Sequence, residues 1–386
     1  MKKVVVLMMV VMMLTLLFTS CKKEEAASTE ESSTEVAAQE DSTEEDSTQT
    51  ETAEVEKKVY KIGMIPKFTG VDYFIACENG AKKAAEDLGV NLDWQGDASG
   101  QESAAKQQAY IQTFIDKGYD AILISALDAS SYAETLKQAR ADGIKIITWD
   151  ADVQQDARDY FINQVENASI GTAMMQGMAQ DLAGKTGSIA VVSSDPNSSN
   201  QNAWIGAIQD EYNTGKYSDL TMLSEIIYAG NNQAEADSKV NTLMIQNPDL
   251  KGVFALSSLA VPATTKAITD LGLEKGSVAM AGLGIPVTAK AAMEDGTIKS
   301  VILWQPYDLG YLAVEFAYQL LEGNIDPNAS EFVSSLSGKS QCNDMMYEPA
   351  HLVTADKQVI LGKPVIFTLD LVDYFKGYPN PDSGLK

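Results

Sequence analysis

The chain has 386 residues, with 54 acidic side chains against 29 basic ones, a formal charge of −25 and one histidine. So acidic a chain repels phosphate backbones, which speaks against a nucleic-acid partner. The lone His351 leaves no histidine-rich metal site and argues against a Ser-His or Cys-His nucleophile system, so it reads as structural.

Residues 1–58 read as one unit. Lys2 and Lys3 precede an apolar run from Val4 to Phe18, broken only by Thr15, and then comes Thr19-Ser20-Cys21. A basic start, a short apolar core and small residues before a cysteine describe a lipoprotein signal over 1–21, with Cys21 as the lipidated residue. At about 15 residues the run is too short to span roughly 30 Å of hydrocarbon. Residues 22–58 hold 13 acidic side chains and no aromatic one. Such a segment buries too little apolar surface to offset its ordering entropy, and its charges repel. The reading is a disordered acidic tether, which holds the remainder outside the cytoplasm by a lipid anchor alone.

From Val59 onward, 41 acidic residues face 23 basic ones, a net of −18. The length is that of two ordinary domains. Strands are expected at 59–66, 91–96, 121–126 and 144–150, with helices at 72–88, 101–117 and 130–142 between them. A connecting strand at 159–164 precedes a second array. There 188–194, 220–228, 252–257 and 277–284 take the strand roles, and helices lie near 167–183, 202–214, 233–247 and 262–272. A further strand is expected at 299–303. Apolar runs of this kind suit parallel strands covered by helices on both faces. The fold class is α/β, with two doubly wound parallel sheets. Residues 376–386 form a tail ending in PNPDSGLK. Cys77 and Cys342 are compatible with two buried thiols or one long-range bridge.

Ligands of doubly wound sheets sit beyond the carboxyl ends of the strands. Those positions carry Lys67, Tyr73 and Phe74 after the first strand, and Asp150 after IITW. Asn200 and Gln201 follow AVVSS, Pro262 and Thr264 follow VFALSS, and Trp304 follows KSVIL. One cation, a carboxylate, amides and aromatic faces suit a small hydroxyl-rich ligand. The set has no nucleophile–base pair, metal-ligand cluster or Gly-rich phosphate loop, so neither an enzyme nor a cofactor is expected. Each position also has a plain structural use; Pro262, for example, suits the start of a helix.

The segments IPKFTGVDYF (65–74), GYDAILISALD (118–128), KIITWDADV (145–153), YFINQ (160–164), NQNAW (200–204), AVPA (260–263) and LW (303–304) resemble the Lsr-type autoinducer-2 binding proteins. These belong to the type I periplasmic sugar-binding family, near the rhamnose-, ribose- and galactose-binding proteins. The resemblance implies a monomeric, non-enzymatic receptor that delivers ligand to an ABC permease. It implies ligand contacts at Lys67, Asp150, Asn200, Gln201, Pro262 and Thr264, with Tyr73, Phe74 and Trp304 as aromatic walls. The chain departs from the Lsr-type pattern in having Asn200 for Asp and Thr264 for Ala. Autoinducer-2 is the expected ligand; the alternative is rhamnose or another monosaccharide, for import or sensing. The expected lobes are 59–163 plus 306–350, and 164–305 plus 351–375. A three-strand hinge near 163–165, 305–307 and 350–352 would join them. A sugar-responsive repressor core would share the fold but needs a helix-turn-helix in place of the export signal.

Overall fold

The computed structural model describes residues 58–97, 102–335, 350–372 and 375. The signal, most of the tether, Cys21, Cys342 and the tail lie outside the described residues.

The first half alternates as its periodicity suggests. β1 (Lys61–Ile65), α1 (Asp72–Leu88), β2 (Asn91–Trp94), α2 (Ala104–Asp116), β3 (Ala121–Ile124), α3 (Ala133–Ala141), β4 (Lys145–Trp149) and β5 (Tyr160–Val165) follow in order. Local chemistry sets the helix ends. Ser103 caps α2 by accepting from the Lys106 N–H, and Gly89, at φ +68°, ends α1 in the left-handed cap that glycine permits.

The second half continues with α4 (Asn167–Leu182), β6 (Gly187–Ser193), α5 (Ser199–Tyr212), β7 (Leu220–Tyr228), α6 (Gln233–Gln246), β8 (Leu250–Ala255), α7 (Ala260–Asp270), β9 (Ala279–Gly282), α8 (Pro286–Glu294) and β10 (Ser300–Leu303). The chain then runs through α9 (Pro306–Leu321), β11 (Glu331–Val333), β12 (Ala350–Leu352), β13 (Gln358–Gly362) and β14 (Val365–Thr368).

Among the described residues the larger sheet runs β13-β5-β4-β3-β1-β2, with every pairing parallel. The smaller runs β7-β6-β8-β9, also parallel. A bridge from Leu283 to Ile302 leads on to β10, which pairs antiparallel with β14. Each sheet reverses its strand order once, between β1 and β3 and between β6 and β8. Crevices for ligands open at such reversals.

The chain passes from the first sheet to the second between β5 and α4 and returns between β10 and α9, which packs on α1. There Gly80 and Gly310 let the backbones touch. A Cβ on Gly80 would lie 1.8 Å from the Tyr307 carbonyl oxygen, and one on Gly310 would lie 1.9 Å from that of Cys77. The third passage differs from the expectation at 350–352. β12 pairs with β11, and β13 adds to the first sheet beside β5, where its apolar Val359, Ile360 and Leu361 are buried. The chain therefore leaves the first sheet only at residues 363–364. His351 is buried on β12, with Nδ1 3.0 Å from the Leu361 carbonyl oxygen.

Candidate functional site

Both strand-order reversals open onto one cavity of about 70 Å³. The first sheet supplies Lys67 and Phe68 beyond β1, Leu127 beyond β3, Asp150 beyond β4, and Tyr73 and Phe74 from the first turn of α1. The second supplies Ser194 and Asp195 beyond β6, Ser198, Asn200, Gln201 and Trp204 around the start of α5, and Leu256 to Leu259 beyond β8. Leu303 and Trp304 come from the end of β10.

Lys67 is buried, and its ammonium donates to Ser198 Oγ at 3.1 Å and to Asn200 Oδ1 at 3.0 Å, both across the cleft. Burial holds its pKa below the usual lysine value, against the pull of Asp150 and Asp195. Its direct partners are neutral.

Asp150 takes φ +62°, a left-handed conformation that aspartate tolerates better than most side chains. Its Oδ1 accepts from the Tyr73 hydroxyl at 3.0 Å and the Gln164 amide at 2.7 Å, and its Oδ2 accepts from Ser125 at 2.6 Å. Tyr73 in turn accepts the Trp304 indole N–H at 2.9 Å. Burial, then the Asp150 charge, pushes the Tyr73 hydroxyl well above its ordinary pKa, so it stays a donor. A few residues on, Arg158 grips both oxygens of Asp152 at 2.8 and 2.9 Å and reaches the Asp356 and Lys357 carbonyls. Nε serves both carboxylate oxygens and Nη1 the two carbonyls, so one guanidinium fixes the loop that carries Asp150. Burial nonetheless raises the Asp152 pKa against the Arg158 charge.

Aromatic rings pack through the site, Tyr73 edge to face with Phe74 and Trp304, and Trp304 tilted against Trp204. Tyr73 lies 5.1 Å from Phe74 and 6.1 Å from Trp304, and Trp304 lies 5.6 Å from Trp204. Such contacts make a rigid apolar wall against which the C–H face of a ring can lie.

Seven of the nine expected residues, Lys67, Tyr73, Phe74, Asp150, Asn200, Gln201 and Trp304, surround this cavity. Pro262 and Thr264 do not. α7 starts at Ala260, two residues before the expected position, so Pro262 turns to a neighbouring groove with Leu259 and Val261. Thr264 is fully buried and bonds the Ala260 carbonyl at 2.7 Å. Gln201 lines the cavity with its carbonyl oxygen already engaged. Its Oε1 already accepts from the Ser193 hydroxyl and the Ser194 N–H, so only its amide nitrogen can serve a ligand. Sequence reasoning missed Phe68, Ser125, Gln164, Ser198 and Trp204. Trp204 stands in the NQNAW motif and Ser125 just past AILI; both signals were present.

Residues 62–325 match the model of the periplasmic binding protein domain. The chain belongs to this family. The ribose import binding protein of Bacillus subtilis is 24% identical over 273 residues, covering 69% of this chain and 83% of that protein. A solved ABC transporter solute-binding protein from Clostridium phytofermentans with bound L-rhamnose superposes with a TM-score of 0.73 at 25% identity, covering 82% of this chain and 98% of that one. LsrB from Clostridium saccharobutylicum, in complex with AI-2, gives 0.72 at 24% identity, with 81% and 98% covered. In this periplasmic binding protein the cavity lies beyond the strand ends of both sheets, where doubly wound sheets take their ligands. Among the described residues no cluster of three or more His, Cys, Asp or Glu side chains could hold a metal ion.

Proposed function

We propose that the protein is the lipid-anchored substrate-binding component of an ABC importer and that it binds autoinducer-2 in its cyclic polyol form. The carrying observation is the set of groups around the cavity. Asp150 and the backbone offer acceptors, the Lys67, Asn200 and Gln201 nitrogens offer donors, and Tyr73, Phe74, Trp204 and Trp304 offer ring faces. A cavity of about 70 Å³ holds roughly five waters, whose liquid volume of about 150 Å³ is that of one small sugar-like ring. Oligosaccharides are too large for it. Cys21 carries the lipid in this reading, and residues 22–58 span the gap to the permease.

The two sheets act as lobes about the three passages at 165–167, 303–306 and 363–364. A ligand touching both lobes stabilises the closed form through contacts absent from the open one. L-rhamnose is the second reading, favoured by the rhamnose-bound relative.

Thermal-shift titration against autoinducer-2, L-rhamnose and D-ribose tests the proposal. A ligand bound only by the folded state stabilises it by RT ln(1 + [L]/Kd). A rise with autoinducer-2 at the lowest concentration supports the first reading, and a rise with rhamnose alone assigns the second. No rise with any of the three would sink both.

A further inference from the structure

Gln164 lies on β5, one residue before that strand ends and three before α4 begins on the second sheet. It is fully buried and does not line the cavity. Its amide nitrogen donates twice to one residue, at 2.7 Å to the Asp150 carbonyl oxygen and at 2.7 Å to Asp150 Oδ1. Both partners are acceptors, so the orientation of the amide is fixed by chemistry. The same Asp150 carbonyl also receives Asn200 Nδ2 from the opposite wall at 3.3 Å.

Two further observations bear on why an amide stands there. Asp150 holds a left-handed backbone that needs support from its surroundings. Gln164 Oε1 is buried without a partner among the described residues, which destabilises the fold. An apolar side chain would avoid that cost but would leave Asp150 Oδ1 with Tyr73 alone and the Asp150 carbonyl with only the long bond from Asn200.

We infer that Gln164 is a positioning residue: it locks the backbone and carboxylate of Asp150 and ties them to the first passage between the sheets. A change at residues 165–167 on opening then reaches Asp150 through two hydrogen bonds. The inference rests on the polyol-binding reading for its consequence, though its geometry can be tested without a ligand.

Gln164→Glu and Gln164→Met, made in the full protein, provide the test, with calorimetric titration of the polyol that the wild type binds. At about pH 8.5 the carboxyl introduced by Gln164→Glu faces the two Asp150 acceptors with no donor, and the loop shifts. At about pH 5.5 the carboxyl pair shares a proton, so an O–H again reaches Asp150. The titratable groups facing Asp150 are Lys67 from the β1–α1 loop and Tyr73 and Cys77 from α1. All three are common to variant and wild type, so the affinity ratio isolates the new carboxyl. For Gln164→Glu, the affinity relative to wild type should recover by about tenfold between the two pH values, and Gln164→Met should stay at least about tenfold weaker at both. A packing role alone would lower the melting temperature and leave this pH profile flat. Crystal structures of the ligand-free variants read the geometry directly, and Asp150 should leave φ +62°. Wild-type affinities at both pH values, or an unmoved Asp150, overturn the inference. Should the wild type bind none of the polyols while Asp150 moves in the variants, the functional reading fails and the positioning role stands.

Discussion

Lys67 and Asn200 meet across the cleft, the ammonium donating to the amide oxygen at 3.0 Å, one residue beyond β1 and the other at the start of α5. The contact joins the two sheets without a ligand, and it leaves the buried charge facing a neutral acceptor.

That arrangement predicts opposite effects on binding and stability for Lys67→Met. A buried ammonium without a carboxylate partner destabilises the fold through lost hydration, which a methionine of similar length does not incur. The variant should melt at or above the wild-type temperature and bind its polyol at least about a hundredfold more weakly, as loss of charged hydrogen bonds implies. The pH dependence has a definite sign. The folded pKa of Lys67 lies below the unfolded value of 10.5, so the unfolded state holds more protons between the two. Wild-type stability therefore gains from Lys67 as pH rises through that window towards 10.5, and this gain vanishes in Lys67→Met. Equal alkaline slopes in urea melts of the two proteins would refute the assignment.

Asp150 is the residue whose removal is hardest to read. Asp150→Ala leaves the Tyr73 and Ser125 hydroxyls without their acceptor, at about 1–3 kcal/mol for each buried group, and leaves the Gln164 amide only the backbone carbonyl of residue 150. It should both unfold readily and fail to bind, and so says little about the ligand. Asp150→Asn keeps the shape and one oxygen. It should lose about 1 kcal/mol of stability and about tenfold or more in affinity, because a charge-assisted bond becomes a neutral one. Calorimetric titration beside a denaturant melt separates the two losses.

How far the sequence discloses this site depends on what kind of signal each residue gives. Strand ends are legible because short apolar runs stop abruptly, and that alone places Lys67, Asp150 and Trp304 beside the cleft. Helix α1 is read to its residue because Gly89 ends it. The details fail where rotation about a helix decides. Thr264 and Pro262 sit at the correct end of α7, yet a start two residues early turns both side chains from the cavity. α8 and α9 were not among the expected elements; α9 is buried along most of its length between α1 and the first sheet, as a helix apolar on most of its faces requires. Gln164 stands in the YFINQ segment, but a buried amide in a strand looks like any polar interruption, and nothing in its spacing assigns it a role.

The buried position of Thr264 yields its own prediction. Thr264→Val replaces a hydroxyl that bonds only the Ala260 carbonyl within its own helix. Affinity should remain within about twofold of wild type and stability within about 1 kcal/mol. A loss of more than about tenfold in binding would put Thr264 in the site after all.

Away from the cleft, Asp181 near the end of α4 sets a pH dependence of the second sheet's packing. It is 6% exposed, its carboxyl faces the Ser300 hydroxyl at 3.4 Å, and Lys299 bonds its backbone oxygen rather than its carboxylate. Burial raises its pKa from 3.8 to about 6, against the pull of Lys299. The folded state thus holds the proton more tightly than the unfolded one. The associated stability is fully present below pH 3.8 and is lost as pH rises through about 6. A shift of roughly two units corresponds to ~3 kcal/mol at most. Asp181→Asn keeps an acceptor for Ser300 and carries no charge to desolvate. It should stabilise the protein at pH 7 by about 1–3 kcal/mol and remove this contribution to the acid-side slope. Urea melts of the two proteins at several pH values between about 4 and 7 give the difference directly. A constant difference across the series would mean that Asp181 already ionises freely in the folded state, and that Lys299 compensates its burial in full.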